Sequence, residues 1–118
     1  IMAVSERKTL KEAIVTTGFA KSKSMFSETL PFFNRLAPKV RKVRMMGSAA
    51  LSLSYVAAGR FDGYVEGITN IWDVAAGSLL CEAAGGEFWS KPLEGDYKYR
   101  LIATNGHIGK ALRRLAKG

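Results

Sequence analysis

Two stretches, 49–58 and 74–84, are made mainly of Ala, Ser, Leu, Val and Gly. Each is closed by glycine, Gly59 after the first and Gly85-Gly86 after the second. A helix with so little polar surface has to be buried, and its small side chains let a neighbour approach closely. Glycine just past a last turn takes the left-handed conformation that ends a helix. Two such helices need a sheet to lie on, and short strand-like runs separate them from each other and from two longer helical segments. The spacing predicts strands over 1–4 and 12–17, the second ended by Gly18, then a helix capped by Ser24 and running to Leu36. Met25, Phe26, Leu30, Phe32, Phe33 and Leu36 form the buried stripe of that helix, and Pro38 follows it. Next come a strand over 42–46, the first small-residue helix opened by Gly47-Ser48, a strand over 62–66 and the second small-residue helix over 72–84. A strand over 87–90, a polar loop through Asp96, a strand over 100–104 and an amphipathic helix over 108–116 complete the chain. The last helix carries Ile108, Leu112 and Leu115 on one face. The fold expected is a single α/β domain, residues 1–118, with a layered sheet of mostly parallel strands and helices on both faces. In such sheets ligands sit at the strand ends where helix amino termini converge. Two turns qualify, Arg44 to Ala49 and Glu66 to Asp73.

Composition narrows the function. With 47% hydrophobic and 24% charged residues the chain falls outside the disordered, collagen-like and coiled-coil classes. Its longest nearly apolar stretch, 49–58, is far shorter than the ~20 residues that cross a bilayer. Cys81 stands alone, with no second cysteine or histidine pair at metal-ligand spacing, which points to a reducing, cytoplasmic setting. The chain begins at Ile1 with Glu6, Arg7 and Lys8 and no apolar h-region, so it reads as a piece of something longer without a signal peptide. A net charge of +8 raises the possibility of a nucleic-acid partner. The charge is unevenly placed, however. Residues 1–46 hold ten Lys/Arg against three acids and residues 90–118 seven against two, while 47–89 hold only Arg60 against Asp62, Glu66, Asp73, Glu82 and Glu87. An acidic centre in a basic frame suits cations together with a phosphate ester better than it suits a nucleic acid, whose modules interleave basic residues with exposed aromatics.

Within that centre, Asp73 opens the second small-residue helix. Taken alone, such a carboxylate caps the helix and complements its dipole. The run Trp72-Asp73-Val74-Ala75-Ala76-Gly77, an apolar stretch through Leu79 and Leu80, and then Glu82-Ala83-Ala84-Gly85-Gly86 resemble the carboxyl-terminal signature of the inositol monophosphatase family. Gly47-Ser48-Ala49-Ala50, the strand over 62–66, Glu66 seven residues before Asp73, and Ala103-Thr104-Asn105 extend the likeness across 39–118. Val4-Ser5 and Thr16-Thr17-Gly18 carry it more loosely before that.

The resemblance implies hydrolysis of a phosphate monoester, most simply inositol monophosphate, with Mg²⁺ as cofactor, in a homodimer. Relatives acting on fructose 1,6-bisphosphate, histidinol phosphate or a nucleotide 3′-phosphate are the alternatives, and a non-catalytic basic interaction or nucleic-acid domain is the alternative from another class. It makes Asp73 the catalytic residue and metal ligand of this chain. Glu66 becomes the acceptor for a substrate hydroxyl, Gly47, Ser48 and Ala49 the small residues that let a polyol approach, and Arg44 a residue of the subunit interface or site wall. Without the resemblance, Glu66 is a solvated strand-end charge, 47–49 is ordinary helix packing, His107 is a surface residue at a helix start and Cys81 is inert core. Lys21, Ser22 and Lys23 form a loop with no assignable role. The family's Asp-Pro-Ile/Leu-Asp-Gly-Thr loop and the metal-binding Glu before it do not occur in these residues. The resemblance therefore implies that an amino-terminal portion of the same enzyme supplies the other ligands, since Mg²⁺ needs octahedral oxygen coordination.

Overall fold

The computed structural model describes residues 3–18, 23–46, 48–92 and 98–117, with side chains for all of these except 23–29, 67–71, 73, 98–99 and 116–117. The elements follow in the order β1 (Ile14–Thr17), α1 (Lys23–Leu36), β2 (Lys42–Met45), α2 (Ala49–Ala57), β3 (Gly63–Asn70), α3 (Ile71–Ala83), β4 (Glu87–Pro92), β5 (Lys98–Thr104) and α4 (Gly109–Lys117). A single 3-10 turn, Leu10–Glu12, precedes β1. The strands form one five-stranded sheet in the order β2-β1-β3-β5-β4. β1 pairs in parallel with β2 and β3, and β5 pairs antiparallel with β3 and β4. Four strands thus run one way and β5 alone runs against them.

Alternation along the strands divides the core between the two faces. Val15, Val65 and Ile102 point to one side and pack with Phe32 and Leu36 of α1 and Ile108 and Leu112, which start and anchor α4. Tyr64, Leu101 and Ala103 point to the other, against Leu53 and Val56 of α2 and Cys81 of α3. The small-residue composition is used where α2 and α3 meet. A Cβ built on Gly77 would lie 2.7 Å from Leu53 Cδ1 and 3.0 Å from Phe88 Cε2, so any side chain there would push Leu53 and Phe88 aside. α2 ends as its sequence requires, with Gly59 at φ +79° and its N–H donating to the Val56 carbonyl at 3.1 Å.

The sequence expectations need corrections. Lys23 is the first residue of α1 and Ser24 the second, so neither the loop expected at Lys23 nor the cap expected at Ser24 is there. Leu30 of the expected buried stripe is 40% exposed, while the side chains of Met25 and Phe26 lie outside those described. The part of the 1–4 strand that falls among the described residues is not a strand. Val4 donates one hydrogen bond to the Ala84 carbonyl (3.1 Å), and the segment is held instead by the side chains of Ser5 and Arg7. The strand expected over 12–17 begins only at Ile14, because Glu12 ends the 3-10 turn and Ala13 caps it. β3 does not stop at Glu66. It continues to Asn70 and passes directly into α3, because β5 supplies a partner as far as Asn70↔Lys98 after a register shift between Glu66 and Thr69.

Candidate active site

β1, β2 and β3 end at a common edge of the sheet, and α2 follows β2 there just as α3 follows β3. The topology brings Glu66, Ser48 and Ala49 to this edge, together with the first turn of α3, which contains Asp73. Gly47, Lys21 and Ser22 lie outside the described residues, as does Asp96.

Glu66 sits where the ladder between β1 and β3 ends, one residue past the Thr17↔Val65 pair. By alternation it shares a face with Tyr64, the side covered by α2 and α3. Its carboxylate lies over Gly18, the residue that follows β1, and its Oε2 is buried. This is not the solvated strand-end charge that an arbitrary glutamate would be. Ser48 is the N-cap of α2, with φ −142° and ψ 123°, and its Oγ accepts from the Leu51 N–H at 3.2 Å. Ala49 is half-buried and packs on the cluster around Tyr64 and Leu101. These two residues therefore have structural work as well as a place at the edge. Asp73 is the third residue of α3, inside the first turn rather than at the cap, so a stabilising role there comes from the helix dipole rather than from capping. Arg44 is exposed on β2, opposite Thr16 in register.

The remaining acids do not converge on this edge. Asp62 lies at the start of β3, at the opposite end of the sheet, and is completely buried. One of its oxygens accepts from Arg7 at 2.8 Å and from the Ser5 hydroxyl, and the other accepts from the Ile14 N–H at 2.7 Å. Asn105 completes the cluster. Its Nδ2 donates to Ser5 Oγ (2.9 Å) and to the Arg7 carbonyl (2.7 Å), while its Oδ1 accepts from the His107 and Ile108 N–H groups at 2.9 and 3.3 Å. Sequence reasoning gave Asn105 no such role, although Thr-Asn-Gly ahead of a helix is a cap signal. His107 is exposed in that turn. Glu82 is exposed near the end of α3, where the Ser78 hydroxyl donates to it at 3.3 Å. Cys81 is fully buried, and burial pushes its thiol up to about 11, with the negative charge of Glu82 adding in the same direction. Among the described residues no three His, Cys, Asp or Glu side chains group closely enough to hold a metal ion, and no helix is long and apolar enough to cross a membrane.

Residues 1–116 match the sequence profile of the inositol monophosphatase family. The chain belongs to this family. It is 40% identical over 119 residues to an inositol-1-monophosphatase of Rhizobium meliloti, an alignment covering 97% of this chain and 44% of that protein. It is 41% identical over 108 residues to a fructose-1,6-bisphosphatase/inositol-1-monophosphatase of Thermotoga maritima, covering 89% of this chain and 40% of the relative. The solved structure of Mycobacterium tuberculosis SuhB superposes with a TM-score of 0.87 at 31% identity, over 99% of this chain and 46% of that one. The chain spans less than half the length of these inositol monophosphatase family proteins.

Proposed function

We propose that this chain is the carboxyl-terminal part of a Mg²⁺-dependent phosphate monoester hydrolase whose substrate is a polyol phosphate, inositol monophosphate in the simplest case. The observation that carries the reading is the carboxylate of Glu66, turned over the end of β1 on the side where α2 and α3 begin. There it can accept hydrogen bonds from substrate hydroxyls, and charge-assisted bonds of this kind are short and directional enough to fix the orientation of a ring. Gly47, Ser48 and Ala49 offer little side-chain bulk beside it. Asp73 is the metal ligand of this chain. A carboxylate is the right donor for Mg²⁺, but a single one cannot hold it, and the described residues provide no cluster. The reading therefore places the other ligands in an amino-terminal portion of the enzyme. The chemistry Mg²⁺ supplies when bound is polarisation of the phosphoryl oxygens and a lowered pKa for attacking water.

A part lying beyond this chain is supported by the outer face of α3, where Trp72 and Leu79 are 63% and 73% exposed. A sugar bisphosphate is the second reading, supported by the double name of the Thermotoga maritima relative. The test is Glu66→Gln in the full-length enzyme. The ratio of kcat/KM for inositol monophosphate to that for an aryl phosphate without ring hydroxyls should fall about tenfold to a hundredfold, the worth of one charged hydrogen bond. An unchanged ratio would remove the polyol assignment, and a preference for fructose 1,6-bisphosphate in the unmodified enzyme would replace it.

A further inference from the structure

The residue beneath Glu66 is a glycine for a reason that backbone conformation does not explain. Gly59, Gly85 and Gly106 have φ between 79° and 89°, where a side chain is strained. Gly18 lies outside that left-handed region, so alanine meets no backbone objection there. It meets a side chain instead. A Cβ built on Gly18 falls 2.6 Å from Glu66 Cδ and 2.7 Å from Oε1, and nearer still to Oε2. All three atoms of one carboxyl group occupy the space that any other residue at position 18 would fill. Parallel pairing explains why the two meet. Thr16↔Tyr64 and Thr17↔Val65 are neighbours in register, so the next step along both chains sets Gly18 beside Glu66 at the edge of the sheet.

We infer that Gly18 is the positioning residue for Glu66, and through it a determinant of specificity for hydroxyl-bearing phosphate esters. This inference rests on the polyol reading above for its consequence in catalysis, but not for the contact itself. Glutamate is long enough to swing away from a methyl group, so Gly18→Ala leaves the charge in place and moves it. The carboxylate oxygens cannot remain in the space the Cβ would take, and a displacement of about 1 Å is enough to spoil a directional hydrogen bond to substrate.

The test is a double-variant cycle in the full-length enzyme using Gly18→Ala, Glu66→Ala and the two combined. Two readouts are followed. One is the ratio of kcat/KM for inositol monophosphate to that for an aryl phosphate, and the other is the melting temperature. Gly18→Ala should lower the ratio about tenfold or more, chiefly through KM for inositol monophosphate. In the Glu66→Ala background the same substitution should lower neither the ratio nor the melting temperature further, because truncation at 66 has emptied the space. Equal losses in both backgrounds would show that Gly18 serves the fold by another route and would overturn the inference. If Gly18→Ala alone does not fold, recovery of a folded protein in the double variant supports the contact and failure to recover it rejects the contact. The two proposals are separable. If Glu66→Ala spares the ratio while the melting temperatures remain non-additive, the polyol reading falls and the pairing of Gly18 with Glu66 stands.

Discussion

Asp62 and Asp73 lie eleven residues apart and should fail in opposite ways when their charge is removed. Asp62 is fully buried and accepts from Arg7, the Ser5 hydroxyl and the Ile14 N–H. Asp62→Asn turns one acceptor atom into a donor facing a donor, so a urea titration of the unfolding transition should show a loss of about 1–3 kcal/mol. Asp73 occupies the first turn of α3, where a lost charge costs at most ~1 kcal/mol through the helix dipole. If Asp73 is the metal ligand proposed above, Asp73→Asn in the full-length enzyme should leave the melting temperature within a few degrees while turnover falls by orders of magnitude, because the neutral amide oxygen lacks the charge with which a carboxylate holds Mg²⁺. Destabilisation with retained turnover would show that its role is structural. The sequence pattern distinguished the second aspartate from the first through its neighbours Trp72 and Val74 to Gly77. Nothing near Asp62 announced its role, since its partners are 48 to 57 residues away along the chain.

At the scale of elements, helices were legible because their signals are local. The apolar stripe of α1, the Ser48 cap and Gly59 stop of α2, and the Gly85-Gly86 end of α3 each lie within a few residues of the boundary they set. Strand extents were not, because a strand lasts as long as its partner does. The four residues by which β3 outruns Glu66 exist through β5, whose first residues Lys98 and Tyr99 pair with Asn70 and Thr69. α3 also carries Cys81, buried in the core. The thiol of Cys81 is raised from 9.0 to about 11, so the fold favours its neutral form. The stabilisation from that preference is complete below pH 9 and is lost as pH rises through about 11, amounting to roughly 2–3 kcal/mol at most. Melting temperatures measured from pH 8 to 11 should therefore fall more steeply for the unmodified protein than for Cys81→Ala. Parallel curves would show that the thiol titrates as freely in the fold as in the unfolded chain.

For the whole molecule, the family was legible as a signature, but the contacts at the candidate site were not. Trp72-Asp73 and the closing glycines carry the family signature, whereas the meeting of Gly18 with Glu66 is created by parallel pairing of segments that nothing in the local pattern connects. The same scale governs the outer face of α3. Trp72, Ala75, Ala76 and Leu79 recur at helical spacing and all are exposed, with Leu51 of α2 also exposed. A helix presenting such a stripe to water gains nothing from it, while relatives of this chain are more than twice its length. If the amino-terminal portion proposed above covers α3, Leu79→Glu distinguishes the two environments. In the 118-residue chain by itself, a leucine already 73% exposed has little burial to lose, and the change in unfolding free energy should stay within about 0.5 kcal/mol. In the full-length enzyme the same substitution would remove apolar contact and bury a charge, lowering stability by about 2 kcal/mol or more. Turnover should fall with it as the two portions separate, since Asp73 lies less than two turns away on the same helix. A full-length enzyme indifferent to Leu79→Glu in both stability and turnover would show that this face remains in water and that the remaining ligands approach Asp73 from another side.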